Sequence, residues 1–114
     1  MTFATWINDL LSGAMPDNII AYCFNLYETE LDTQFDVQLI GTECFDLDND
    51  DWACNAVYSS GENLFSFQAK DWEDALDVFG KELARYLRSD NCFMVLKKSH
   101  MAYGFVDGDL QYVD

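Results

Sequence analysis

Glu43, Asp46, Asp48, Asp50 and Asp51 place five carboxylates within nine residues, with no Lys or Arg among them. Carboxylates at this spacing can converge on a divalent cation, move protons, or present a negative surface to something positive. Asp46-x-Asp48-x-Asp50 has the opening spacing of an EF-hand calcium loop. The likeness ends there, because the position that needs glycine is Asp51 and the one that needs a bidentate Glu is Val57. General acid–base work requires a buried carboxyl with a raised pKa, and this run reads as an exposed loop. What remains is electrostatics: charges this close repel one another unless a cation, a basic partner or water answers them.

Trp52 follows the acids directly, either as a pin that fastens the loop to the core or as an interface anchor ringed by charge. The pin is the preferred reading, since a loop this repulsive has to be held. The expected partner-binding surface is therefore Glu43, Asp46, Asp48, Asp50, Asp51 and Trp52, helped by Glu28, Glu30, Asp32 and Asp36. Its partner would be a basic protein. The alternative is a small metal- or ligand-binding domain that uses the carboxylates of Asp46–Asp51. His100, the sole histidine, reads as a loop residue without catalytic company. Cys23, Cys44, Cys54 and Cys92 form no C-x-x-C pair, so a zinc site is not expected, and free thiols are the default. A Cys44–Cys54 bridge remains open if the protein is exported. No phosphate loop, nucleophile elbow or Ser/His/Asp pattern is present; neither enzymatic activity nor a cofactor is expected.

Composition sets the frame for that surface. A chain of 114 residues, 50% hydrophobic and 16% aromatic, has apolar area to bury and fits one domain, residues 1–114. Its net charge of −15 exceeds what solubility asks of a small domain, a magnitude of roughly 2–8. All six bases lie after residue 69, so residues 1–69 carry twelve acids and no base (−12), and the rest carry nine acids and six bases (−3). Such a field repels nucleic acid and anionic membrane and steers basic proteins inward. The opening Met1–Asp9 lacks the basic and apolar regions of a signal peptide, which points to a cytoplasmic protein with reduced cysteines.

The elements that must position the loop are legible from periodicity. Phe3, Trp6, Ile7, Leu10 and Leu11 share one helical face, with Thr2 as N-cap. Ile19–Tyr27 reads as a buried strand, and Gln34–Leu39 alternates with Phe35, Val37 and Leu39 inward, so the two form an antiparallel hairpin. Ala56–Tyr58 and Leu64–Phe67 read as short strands. Trp72, Ala75, Leu76, Phe79, Leu83, Tyr86 and Leu87 trace the apolar stripe of a long helix opened by Asp71. Cys92–Leu96 fits a helical turn or a strand. Ala102–Val106 and Asp109–Val113 form a hairpin about an Asp107-Gly108 type I′ turn, which pairs Phe105 with Leu110 and Tyr103 with Tyr112. Together these predict an α+β domain: an antiparallel sheet of about five strands with two main helices packed on one face.

The run Phe45–Cys54, the helix beginning Trp72-Glu73-Asp74-Ala75-Leu76, and the closing Gly104-Phe105-Val106-Asp107-Gly108-Asp109 together resemble small acidic bacterial immunity-type proteins of polymorphic or contact-dependent toxin systems. The resemblance spans roughly residues 19–114. It implies a cytosolic antitoxin that binds and neutralises a toxin domain, often a basic nuclease. It assigns no individual contact residues.

Overall fold

Thr2 opens the first helix, α1 (Phe3–Leu11), its hydroxyl accepting from the Thr5 amide at 3.1 Å. The structure, a computed structural model, describes residues 2–90, 92–106 and 108–113. Strands β1 (Ala21–Glu28) and β2 (Gln34–Thr42) follow, then a 3₁₀ turn (Asp50–Cys54), β3 (Ala56–Ser59), β4 (Phe65–Gln68), α2 (Trp72–Leu87), α3 (Met94–Lys98), β5 (His100–Phe105) and β6 (Gln111–Val113). The α+β class predicted from the sequence holds, with six strands and three helices among the described residues. None of those helices is long and apolar enough to cross a membrane.

The strands order as β3-β2-β1-β5-β6, and β4 also pairs with β2. Two features differ from the expected antiparallel meander. First, β3 and β4 share one edge of β2: β3 lies opposite Ile40–Thr42 and β4 opposite Gln34–Val37. Second, β5 pairs with β1 in parallel, Ala21 beside His100 and Leu26 beside Phe105, so the sheet is mixed. A parallel neighbour requires a long crossover, and the chain from β2 through α2 and α3 supplies it.

The terminal hairpin forms one residue out of the expected register. Ala102, not Tyr103, lies opposite Tyr112, and Tyr103 lies opposite Gln111. The predicted turn falls partly on Asp107, which lies outside the described residues. A one-residue slip sends every side chain to the other face, and that separates the two tyrosines: Tyr103 packs toward α2 and Tyr112 onto the opposite side. Gly104 makes room for this path, because a Cβ there would stand 2.7 Å from the carbonyl oxygen of Asp109.

Each face of the sheet has its own core. Phe24, Leu26, Val37, Leu39 and Met101 meet α1 and α2, and the meeting point is Phe3, whose ring lies within 5.9 Å of the rings of Trp6, Phe24, Phe65, Phe79 and Tyr86. The other face carries a smaller cluster of Ala21, Cys23, Ile40, Ala102 and Trp52.

Helix α2 starts where the sequence says it should. Asp71 accepts from the Asp74 amide at 2.8 Å, and the Asp74 carboxylate accepts from the Lys70 amide at 2.9 Å, a variant of the reciprocal capping box. Asp71→Ala is expected to lower stability by about 1 kcal/mol, measured by urea unfolding; a change under a few tenths would show that the cap is redundant.

Candidate partner-binding surface

The acidic segment is a lid on the sheet's outer face, and the strands beneath it explain why it sits there. Ala21, Cys23 and Ala102 are small, fully buried side chains on adjacent central strands, and they leave a trough wide enough for an indole. Trp52 fills it at 3% exposure. Its Nε1 donates to the Tyr112 hydroxyl at 3.2 Å, and that hydroxyl donates to Asp50. Phe45 closes the group, 5.0 Å from Trp52 and stacked on His100 at 4.0 Å with the rings 2° from parallel. Trp52 is thus the pin and offers no surface to a partner, and His100 belongs to the aromatic seal.

Local hydrogen bonds fix the backbone of the lid. The Thr42 hydroxyl donates to the Cys44 carbonyl at 2.8 Å as the chain leaves β2, and Asn18 donates to Glu43 at 2.6 Å. Asp46 accepts from the Asp48 amide and Asn49 from the Asp51 amide, both at 3.0 Å, which shapes the approach to the 3₁₀ turn. Asp46 turns to its own backbone and Asp50 to Tyr112, and among the described residues no three His, Cys, Asp or Glu side chains gather as a metal site would require. The melting temperature is expected to be the same in millimolar Ca²⁺, Mg²⁺ or Mn²⁺ as in NaCl of matched ionic strength. A specific site at about 100 times its Kd would instead add about 2.7 kcal/mol.

Glu43, Asp46, Asp48, Asp50 and Asp51 are all exposed. The ion pairs among the described residues, Lys81–Asp77 at 2.9 Å and Arg85–Glu82 at 2.7 Å, lie on the surface of α2. Among the described residues, no base pairs with the lid.

The ten expected contact residues do not form one patch. β1 and β2 run from the Ala21–Thr42 pair, beside the lid, to the Glu28–Phe35 pair. Seven steps of about 3.3 Å put Glu28 roughly 23 Å away along the strand, and Glu30 and Asp32 lie beyond it in the turn. Asp36 is partly buried, opposite Tyr27, and accepts from the Ser66 hydroxyl at 2.6 Å. The single acidic surface read from the sequence is therefore two, one at each end of the β1–β2 hairpin.

Beside the second lies an exposed aromatic side chain that the periodicity places in the core. Trp72 was expected on the buried stripe of α2, yet it is 54% exposed. Helical side chains lean toward the N-terminus; as the first residue of α2, Trp72 overhangs the end of the helix, where no earlier turn lies beneath it. Leaving half an indole in water forgoes on the order of 3 kcal/mol of burial. On one side Trp72 borders a groove of about 440 Å³ walled by Leu76, Phe105, Glu28 and Asp109. On the other it borders a smaller groove, about 260 Å³, shared with Leu31, Asp32, Lys70 and again Glu28. The position of Trp72 directly after the helix-capping Asp71 was the available signal.

The cysteines are free, Cys23 buried and Cys54 exposed. Burial, followed by the negative fields of Asp50 and Cys54, pushes the Cys23 thiol up to about 12. Burial and then the hydrogen bond to Asp50 push the Tyr112 phenol upward as well. Both groups favour the protonated form more in the fold than in the unfolded chain; for Cys23 that contribution is complete below pH 9 and is lost as pH rises from there toward 12. Stability is expected to fall above pH 9, each bound proton costing at most about 1.4 kcal/mol per pH unit. Denaturant unfolding of wild type and Cys23→Ala between pH 8 and 11 checks this; parallel curves would rule out Cys23 as a source.

No protein-family model, curated protein or solved structure matches the chain.

Proposed function

We propose that this protein is an immunity-type inhibitor: it binds a basic toxin domain, of the nuclease kind, and occupies the positive surface on which that domain would hold phosphates. The observation that carries the reading is an exposed group of carboxylates with no base among its partners in the described residues, held on a backbone fixed by Trp52, Phe45 and Tyr112. A rigid array of this kind loses little conformational entropy on binding. Its carboxylates match the charge-assisted hydrogen bonds that arginines otherwise make to phosphate, and its field speeds encounter with a cationic partner.

Asp48 and Asp51 are the side chains to reverse, because their carboxylates make no hydrogen bond within the fold, whereas Asp46 and Asp50 do. Against a basic nuclease toxin domain, Asp48→Lys combined with Asp51→Lys is expected to weaken binding by about 100-fold, most steeply at low salt. Surface plasmon resonance across an ionic-strength series measures it. Unchanged affinity and a flat salt dependence would end the electrostatic-inhibitor reading.

A further inference from the structure

We propose that the groove beside Trp72 is a binding site for an arginine side chain on an extended basic segment of the partner. The inference rests on the reading of the protein as a binder of basic proteins, and it gives that partner a second contact remote from the lid.

The wall of the groove combines what a guanidinium needs. The exposed face of Trp72 supplies a π surface, and Leu76 and Phe105 supply an apolar floor for the methylene stem. Glu28 and Asp109 supply carboxylates at the rim, and no Lys or Arg is among the described residues that line this groove. The partial charge of the α2 N-terminus, about +0.5, opposes a cation there. It is already answered by Asp71 and Asp74, which are bonded to the backbone of the first turn and the residue before it. Glu28 and Asp109 therefore set the sign of the field. Leu31, 61% exposed in the adjoining groove, carries the apolar strip past Trp72 toward Asp32, where the one cation among the described lining residues, Lys70, is outnumbered by the carboxylates of Glu28, Asp32 and Asp71. A strip of that form suits an extended segment better than a lone side chain.

Arginine is the cation that uses all of these features at once. Its planar head stacks on an indole while its edge N–H groups donate to carboxylates; an ammonium offers a point charge and no plane. The same geometry disfavours an acidic or a neutral segment.

The test uses the whole protein and two peptides of equal charge, one alternating Gly and Arg and the other alternating Gly and Lys. Each is titrated into ¹⁵N-labelled protein at low ionic strength. The expected result is movement of the Trp72 indole signal with the neighbouring Glu28 and Asp109 amides, and a Kd at least fivefold lower for the arginine peptide. That preference should vanish in Trp72→Ala and in Glu28→Gln. Both replace exposed side chains, and each is checked against wild type by its melting temperature. Equal Kd values for the two peptides, or an undiminished preference in Trp72→Ala, overturn the assignment. So does movement confined to Asp46–Asp51, although that result leaves the inhibitor reading standing. Conversely, arginine selectivity at Trp72 with no binding of a basic nuclease toxin domain keeps the groove and removes the inhibitor. A Trp72 signal that moves with protein concentration in the absence of peptide would show a second copy in the groove and overturn the proposal.

Discussion

Trp52→Ala is expected to destabilise the fold by about 3–5 kcal/mol. The indole is 97% removed from solvent (3% exposed), and beneath it Ala21, Cys23 and Ala102 are too small, and Ile40 too firmly held in a central strand, to collapse into the space. The loss also strips Tyr112 of a donor and Phe45 of a ring 5.0 Å away. With its pin gone, the acidic segment has only its short turns to oppose mutual repulsion, so the damage should be larger at low salt than at high salt. Urea unfolding at two ionic strengths measures both effects. Trp52→Phe, which refills most of the trough but cannot donate to Tyr112, should fall between wild type and alanine. A cost under 1 kcal/mol for the alanine variant would mean that the lid is not held by this residue.

Phe3→Ala is expected to cost a similar amount, about 3–5 kcal/mol, through the other core. Its ring is 1% exposed and touches aromatic side chains from α1, β1, β4 and α2, so its removal leaves a cavity at the one point where these elements meet. For a chain of 114 residues, 4 kcal/mol corresponds to a fall in Tm of roughly 17 °C. Calorimetry checks it. Phe3→Leu should recover more than half of the loss, because it refills most of the volume without the ring edges. If α1 detached altogether, both variants would show the same large effect together with a lower helix signal in circular dichroism.

The two variants also divide what was legible in the sequence from what was not. α1, α2 and the β1–β2 hairpin follow from residue periodicity, since each buries one stripe or one alternate set against a common core. The pin was legible as well, because a tryptophan after four acids in a loop has few other uses. Strand neighbours were not. Nothing in His100–Phe105 announces that its partner is Ala21–Leu26 and that the two run the same way. The slipped hairpin failed for a related reason: an Asp-Gly pair suggests a tight turn, but the Trp52 lid needs Tyr112 on the outer face, and that tertiary demand decides the register. Trp72 was misplaced because the stripe of α2 was extended through its first residue, where helical geometry turns the side chain past the end of the element. Glu28 and Asp32 carry the opposite lesson. They were read as helpers of the acidic lid, but they line grooves at the opposite end of the hairpin.

The parallel pairing of β1 with β5 has a consequence for how the chain reaches its native form. Ala21 and His100 stand 79 positions apart, so the middle of the sheet closes late, after a loop that spans most of the protein has been drawn in. Topologies dominated by such distant contacts fold in milliseconds to seconds rather than microseconds. Until then one side of β1 lacks its neighbour, and the trough for the indole lacks its Ala102 wall. The lid cannot seat before the strand that follows it by nearly fifty residues has arrived. Its carboxylates therefore take up their final arrangement in the last stage of folding.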